Sequence, residues 1–428
     1  MYVHLKTLGC RLNEAELETW AQAFQQKGHQ ITRQAENANL IVINSCAVTQ
    51  DAARKSRQLI RRIHRTNPAA KLVVSGCYAT LNREEAEQLM GVDLVVSNQD
   101  KESLVAKTLT ELNMDSMPAM STEPGEVSLF SRGRQRAFIK VQDGCRYRCT
   151  FCIVTVARGE EKSRPIQEIV DEINTLHSQG INEAVITGVH LGGYGSDTDQ
   201  NLSELIKAIL SDTDIPRLRL GSLEPWELPN DFIELFDNPR LMPHLHLPLQ
   251  SGSDSVLRRM ARRCKTEEFS EIVTGLRTAI PHFNITTDII VGFPGETEKE
   301  WHESFDFIEN TGFGHIHIFA YSRREGTKAA TLPNQIPEMV KKQRSRELHE
   351  LAETMKRQFQ SKNIGQTTQV LWESQTESLD NGKHRVFGYT PNYLRVGCEI
   401  DEPEAIENRI IDAKLMTTGN NHLVSILV

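Results

Sequence analysis

"DGCRYRCTFC", residues 143–152, places Cys145, Cys149 and Cys152 within eight positions in the spacing C-x3-C-x2-C. Structural zinc takes four ligands, usually as two cysteine pairs, and no second pair follows here. Three thiols on one loop suit a four-iron cluster, with three irons held by protein and one left open to a small chelating ligand. A zinc site completed by a distant ligand is the competing reading of the same residues. The loop ends the strand-like run "AFIKVQDG" (residues 137–144). βα folds place their sites at such carboxyl ends of strands.

Outward from this loop, strand-then-helix recurs about six times. The candidate strands are "AFIKVQDG", "EAVITGV", "RLRLGSL", "HLHLPLQ", "NITTDIIVGF" and "HIHIFAYS". Helical stretches such as "IQEIVDEINTLHSQG" and "TEEFSEIVTGLRTAI" lie between them. Six units are too few for a closed eightfold barrel and fit an open (β/α)6 one. A long polar helix is expected over roughly residues 337–362.

Toward the N-terminus, "YVHLKTLGC", "NLIVINSC" and "KLVVSGC" are three strand-like runs that each end in cysteine: Cys10, Cys46 and Cys77. Helical runs separate them, "NEAELETWAQAFQQKG" and "DAARKSRQLIRRIHRTN", with a further helix at "NREEAEQLMG". This βαβ series implies a parallel sheet. Parallel strands bring their carboxyl ends to one edge, so the three cysteines are expected to meet. Singly, each is readable as an ordinary buried cysteine. Together they form a second set of three. Cys264 and Cys398 have no such company and read as structural.

The domain expectation is therefore 1–112 for the parallel α/β sheet, 113–133 for a linker, 134–362 for the partial barrel, and 363–428 for a small all-β barrel. The last rests on short strands joined by "DNG", "TPN" and "GNN". The chain has 428 residues and formal net charge −8, which argues against indiscriminate polyanion binding. Charge is uneven, however: residues 52–83 hold eight Lys/Arg and no acid, either a solvated helix face or a polyanion patch. No signal peptide and no apolar run of roughly 20 residues is visible, so a cytoplasmic protein with reduced thiols and no membrane partner is expected.

Cys145, Cys149, Phe151 and Cys152 give C-x3-C-x-aromatic-C at the end of a first barrel strand, which resembles the radical S-adenosylmethionine superfamily. The resemblance implies that S-adenosylmethionine chelates the open iron and is cleaved there to a 5′-deoxyadenosyl radical, with Phe151 near the adenine. Two three-cysteine sets and a terminal β-barrel resemble one family within it, the methylthiotransferases. "LGCRLNEAELE", "NSCAVT", "SGCYA", "LPLQSGSDSVLRRMARR", "TTDIIVGFPGET" and "YSRREGT" carry that likeness along the whole chain. The final domain resembles the RNA-binding TRAM module.

The family likeness implies two [4Fe–4S] clusters and two S-adenosylmethionine molecules. One methylates sulfur at the cluster on Cys10, Cys46 and Cys77; the other yields the radical that takes hydrogen from C2 of a modified adenine. "TLGCRLNEAELE" is most similar to the threonylcarbamoyladenosine branch, with a basic residue after the cysteine, and implies that base 3′ of the tRNA anticodon as substrate. Isopentenyladenosine in tRNA, or an aspartate of a small-subunit ribosomal protein, are the alternatives. A non-catalytic RNA-binding protein with structural metal is the alternative class.

Thr155 stands where the family often has proline, and Cys264 where an aromatic is common. Gly188, Gln250 and Gly292, at strand ends, are the candidate cofactor neighbours. Asn13 and Glu16, beside Cys10, and Arg134 and Arg136, in "RGRQR", are the candidate substrate contacts, with "KKQRSR" (341–346) a further basic run. From residue 365 onward nine acids face five Lys/Arg, an unusual balance for an RNA-binding module. The electron donor is expected to be of flavodoxin or ferredoxin type; the sulfur source and oligomeric state stay unassigned.

Overall fold

In the computed structural model, residues 1–114, 135–229, 231–419 and 422–428 are described; positions 115–133 of the expected linker, and Arg134, lie outside them. Five parallel strands form the N-terminal sheet: β1 (Tyr2–Thr7), β2 (Gln30–Thr32), β3 (Leu40–Ser45), β4 (Lys71–Gly76) and β5 (Leu94–Val95), in the order β2-β1-β3-β4-β5. Every residue of the central β3 is buried, as expected of a parallel strand covered on both faces. Its period-two alternation sends Leu40 and Val42 against Leu17, Trp20 and Phe24 of the helix Arg11–Gln26. Ile41 and Ile43 pack on the other side against Leu59, Ile60 and Ile63 of the helix Gln50–Thr66. The helix expected over 82–91 forms as Arg83–Glu87, with Asn82 at its N-cap (φ −127, ψ 48), and a separate helical turn, Cys77–Leu81, precedes it.

The central region carries β6 (Arg136–Lys140), a small hairpin of β7 (Gln142–Asp143) and β8 (Lys162–Ser163), then β9 (Glu183–Thr187), β10 (Arg217–Leu220), β11 (His244–His246), β12 (Asn284–Val291) and β13 (His315–Ala320). The sheets β10-β9-β6 and β11-β12-β13 are parallel throughout. Bridges Leu218↔Leu241 and Ser222↔His246 join them into one six-stranded arc. One face of each strand is apolar and meets the helices, through Ile139, Ile186, Leu218, Leu245, Ile285 and Ile316. The alternating positions therefore line the inside of the arc. Several of these are polar: Glu183, Arg217, Arg219, His244, Thr286 and His317.

The last region closes a five-stranded barrel, β14 (Thr367–Ser378), β15 (His384–Tyr389), β16 (Arg395–Ile400), β17 (Ile410–Thr418) and β18 (Leu423–Leu427), in the order β14-β15-β16-β18-β17. Val370, Trp372, Val386, Val396 and Leu415 fill it. This barrel plugs the amino-terminal end of the arc. Arg217 donates to the carbonyls of Tyr389 (2.9 Å) and Gln369 (3.0 Å). Arg219 donates to both oxygens of Glu183 (2.9 and 3.1 Å) and to Pro391 O (3.0 Å). Arg136, a substrate candidate by sequence, is drawn into the same joint, donating to Glu373 Oε1 (2.6 Å) and Tyr393 OH (3.1 Å) and stacking 4.5 Å over Tyr389. It thus sits at the closed end of the arc.

At the other end the first helix crosses the inside of the arc. Ala15 packs on Phe138 and Val185. A buried ion network seals the contact. Glu16 accepts from Lys101 Nζ (2.7 Å), Arg158 Nη1 (2.8 Å) and Asn44 Nδ2 (2.9 Å). Asp143 accepts from Arg158 (3.1 Å), Lys140 (3.2 Å) and Lys101, and Asn13 Oδ1 takes Arg158 Nη2 (2.9 Å). Burial alone would raise the Glu16 pKa, but Arg158, Lys101 and Lys140 overrule it and hold it at about 2.

Two stability measurements follow from the joints. Arg219→Met leaves the Glu183 carboxylate buried without its partner and should cost about 3–5 kcal/mol in urea unfolding, whereas Arg219→Met with Glu183→Leu should cost less. An equal or larger cost for the pair would refute the assignment. For Glu16, a folded-state pKa below the ordinary 4.5 stabilises fully above that pH and loses the contribution as pH falls toward 2. The stability gap between wild type and Glu16→Gln should therefore be widest near neutral pH and shrink below about pH 4.5; a gap constant down to pH 3 would contradict the network.

Candidate metal centres at the domain joint

Three adjacent strands each hand a cysteine to one edge of the N-terminal sheet. Cys10 caps the helix that follows β1, Cys46 comes directly after β3, and Cys77 opens the turn after β4. The registers Thr7↔Asn44 and Ser45↔Gly76 bring these ends level. Glycine permits the convergence. Gly9 holds φ +121, and a Cβ there would lie 2.9 Å from Cys46 Cβ and 3.0 Å from its Sγ; Gly76 holds φ +94, with a Cβ 2.3 Å from Ser45 O. Ser56 Oγ fixes Cys46 by accepting from its N–H (3.0 Å) and donating to its carbonyl (2.8 Å). Asn13 Oδ1 receives the Cys10 thiol at 3.6 Å, and Asn98 Nδ2 donates to Cys77 Sγ at 3.7 Å.

The second set lies on the loop after β7. Cys145 N–H bonds Gly159 O (3.2 Å), Cys152 N–H bonds Cys149 O (3.0 Å), and Val154 N–H points at Cys152 Sγ (3.4 Å). Thr155 braces this loop, its hydroxyl donating to Tyr147 O at 2.9 Å; a proline there would lack that bond. Phe151 packs against a small apolar group that includes Met260, Phe293 and Tyr321. The short helix Val154–Arg158 then carries Ala157 into the apolar core under the first set. Asn98 ties the two directly, bonding Ala157 O at 2.9 Å as well as reaching Cys77. The two cysteine sets thus meet at one joint, with Asn98 bridging from Cys77 to the short helix that follows Cys152.

The donor chemistry fits clusters with an open iron. Burial and the neighbouring thiols push Cys46 and Cys152 up to about 11 and raise Cys10 as well; burial and the Glu224 carboxylate raise Cys145. Bare, these thiols hold their protons, and a bound metal is what stabilises thiolates there. Arg324 Nε and Nη2 are buried without a partner among the described residues, and Cys46 and Cys77 act on the same guanidinium. Such donors suit cluster sulfur. Cys145 also stands with Glu161 and His190, ligand atoms all within 4.8 Å. Yet His190 Nδ1 lies 2.5 Å from Glu161 and its Nε2 3.5 Å from Glu224. Both ring nitrogens face carboxylates, so His190 braces the loop and competes poorly with Cys149 and Cys152 as a ligand.

The other expected residues take distinct places. Gly188, Gln250 and Gly292 follow the carboxyl ends of β9, β11 and β12. The near neighbour of Gly188 is Gln142, whose Oε1 lies 2.9 Å from where a Cβ would stand; that of Gly292 is Lys341, at 2.2 Å. Gln250 holds φ +76 and bridges to β12 through Asp288 O (2.8 Å). Asn13 and Glu16 meet Arg158 in the joint. In "KKQRSR", Lys341 and Arg344 are buried, Arg344 being paired with Glu296 (2.8 Å) and Glu298 (2.9 Å), so these two are structural cations. A cavity of about 790 Å³ lined by Arg54, Arg57, Ile153, Val156 and Arg324 opens beside the cysteines.

Sequence reasoning passed over Arg158, Lys101 and Asp143, which have no spacing signature. It also passed over His246, Asp288 and His317 inside the arc, with ligand atoms within 4.8 Å. His246 bonds Asp288 (3.2 Å) and Thr286 (2.9 Å). Their signal was legible as the polar alternation in "HLHL", "TTDII" and "HIHI".

Residues 2–97 match the model of Uncharacterized protein family UPF0004, and residues 139–308 that of the Radical SAM superfamily. The chain is 35% identical to threonylcarbamoyladenosine tRNA methylthiotransferase MtaB of Bacillus subtilis, over 97% of this chain and 94% of that one. It is 38% identical to the protein so named in Thermotoga maritima, over 87% and 86%. It is 31% identical to tRNA-2-methylthio-N(6)-dimethylallyladenosine synthase of Thermobifida fusca, over 98% and 88%. Among solved structures, the radical S-adenosylmethionine methyltransferase TsrM of Kitasatospora setae shares the fold, with TM-score 0.55 at 16% identity over 77% of this chain and 75% of that one. With one cysteine triad on the N-terminal sheet, another at the open parallel arc, and 35–38% identity to these enzymes over 87–97% of its length, the chain belongs to the radical S-adenosylmethionine tRNA methylthiotransferase family.

Proposed function

We propose that this protein replaces the C2 hydrogen of N6-threonylcarbamoyladenosine, 3′ of the tRNA anticodon, with a methylthio group. The single observation that carries the reading is the meeting of two three-thiol sets across one joint, in a chain 35–38% identical to relatives named for that nucleoside. Cys10, Cys46 and Cys77 would hold one [4Fe–4S] cluster, and Cys145, Cys149 and Cys152 the other. When bound, the clusters and two S-adenosylmethionine molecules supply the electron, the hydrogen-abstracting radical and the methylsulfur group.

The protein's own task is to place and to exclude water. Phe151 offers an aromatic wall beside the second loop, and the strand-end residues Gly188, Gln250 and Gly292 shape the rim of the chamber. Asn13 orients Cys10, while Arg158 holds Asn13 and Glu16 to the second loop. Such fixed placement is what a short-lived radical demands. The inner wall carries His246, Asp288 and His317, a polar lining that suits a threonylcarbamoyl group and not an apolar isopentenyl one.

The tRNA backbone is assigned to the basic face of the helix Gln50–Thr66 and to the cavity lined by Arg54, Arg57 and Arg324. Among the described residues no helix is long and apolar enough to cross a membrane. A cytoplasmic location and an electron donor of flavodoxin or ferredoxin type complete the proposal.

Anaerobic reconstitution separates the two centres. Cys10→Ala, Cys46→Ala or Cys77→Ala should remove about half of the bound iron yet keep 5′-deoxyadenosine release, and should abolish methylthiolation. Cys145→Ala, Cys149→Ala or Cys152→Ala should abolish both. Full iron retention in the first group, or nucleoside release in the second, would overturn the assignment. For the RNA path, Arg54→Gln with Arg57→Gln should weaken binding of any tRNA and reduce the slope of log K against log salt by about 1 per lost contact; an unchanged slope would move the backbone elsewhere.

A further inference from the structure

We propose that Arg11 and His317 form the recognition pocket for the carboxylate and hydroxyl of the substrate's threonyl group. The inference rests on the reading of the substrate just given and names how this site selects it. Two kinds of relative act on adenines that differ only in the N6 substituent. Dimethylallyl is a hydrocarbon; threonylcarbamoyl ends in an anion. A chain that prefers the latter needs a cation where the substituent lies.

The geometry of adenine says where that is. C2 and C6 flank N1, so C2 and the N6 substituent share one edge of the base. If C2 is turned to the set containing Cys10, the substituent lies alongside it. Arg11 is the next residue after Cys10. It begins the helix that crosses the inside of the arc, and its guanidinium stands 4.8 Å over the ring of Phe138 on β6. His317 stands on β13, the last strand of the arc, whereas Phe138 stands on β6, the first. Arg11 and His317 therefore stand at opposite margins of the opening.

Several other cations nearby are committed elsewhere. Arg158, Lys101 and Lys140 serve Glu16 and Asp143. Arg262 stacks on Trp226 at 4.2 Å and Arg263 on Tyr147 at 4.7 Å, both beside the second loop. Arg324 faces Cys46 and Cys77. Among the described residues Arg11 has one acidic partner, Glu14 at 3.0 Å, and its side chain is 58% exposed. An exposed i,i+3 pair is weak, so an incoming carboxylate competes well for a planar, bidentate guanidinium. Opposite it, burial and the neighbouring His246 and Arg11 lower the pKa of His317. The neutral ring can accept from, or donate to, the threonyl hydroxyl. His315, edge-on at 4.7 Å, and His246, at 5.6 Å, hold its place.

The test is a paired titration of the full chain. An anticodon stem-loop carrying N6-threonylcarbamoyladenosine is compared with the same RNA whose threonyl carboxylate is a carboxamide, by fluorescence anisotropy. Wild type should bind the acid about tenfold more tightly than the amide, the scale of a charge-assisted hydrogen bond. In Arg11→Gln that ratio should collapse toward one, in Arg11→Lys it should largely persist, and His317→Ala should weaken both RNAs. In turnover, Arg11→Gln should raise KM for the acid more than it lowers kcat. An acid-to-amide ratio that survives Arg11→Gln, or that is absent in wild type, overturns the pocket while methylthiolation of the threonylcarbamoyl RNA continues. Methylthiolation of an isopentenyladenosine stem-loop in place of the threonylcarbamoyl one overturns the substrate reading and the pocket together.

Discussion

The guanidinium of Arg158 touches Asn13 and Glu16 of the first helix and Asp143 at the base of the second cysteine loop. Every other feature of the site depends on that contact. Cys10 is three residues from Asn13 and six from Glu16; Cys145 is two from Asp143. A single side chain thereby sets the spacing of two cysteine sets that are distant in sequence. The arrangement is expensive in desolvation, since Glu16, Lys101 and Arg158 are all buried. Buried charges of this kind contribute little net stability against an apolar replacement. What they provide here is registry: each carboxylate oxygen and each donor has a specified partner, and an apolar joint between helix and arc could slide.

The same logic operates at the opposite end. A parallel arc of six strands leaves its amino-terminal end open, and Arg136, Glu183, Arg217 and Arg219 line it. The C-terminal barrel answers these charges with the Glu373 carboxylate, the Tyr393 hydroxyl and main-chain carbonyls. With one end plugged and the first helix laid along the inside, the cysteines stand at the opposite end of the arc. A reactive species formed there meets fixed polar groups in place of bulk water.

Periodicity made the element order legible. The six barrel strands, the three cysteine-ending strands and the five terminal strands all lie where alternation and turn residues put them. The convergence of Cys10, Cys46 and Cys77 was legible too, because parallel strands share an edge. What pattern does not encode is which cations become internal. "RGRQR" and "KKQRSR" look like surface runs, yet Arg136, Lys341 and Arg344 are consumed by carboxylates and carbonyls from elements far away in sequence. The helix expected over 82–91 forms over Arg83–Glu87, whereas the helical turn Cys77–Leu81 before it carried no signal in the pattern. Arg158 was invisible because its meaning lies wholly in tertiary partners.

An acidic chain that works on RNA must gather its few free cations. In the terminal barrel three of the five are engaged: Arg385 is clamped between Glu377 and Glu399, and Lys383 lies by Asp401. Arg395 lies flat on Phe387 at 4.0 Å. The helix Gln50–Thr66 differs. Asp51 alone among its residues is acidic, and Arg61, Arg62 and Arg65 stand on its exposed face. This helix begins four residues beyond Cys46, so the basic surface and the first cysteine set are parts of one loop-and-helix unit. A polyanion attracted to that face is delivered by geometry to the chamber mouth, and the acidity of the remaining surface sharpens the delivery by repelling it elsewhere.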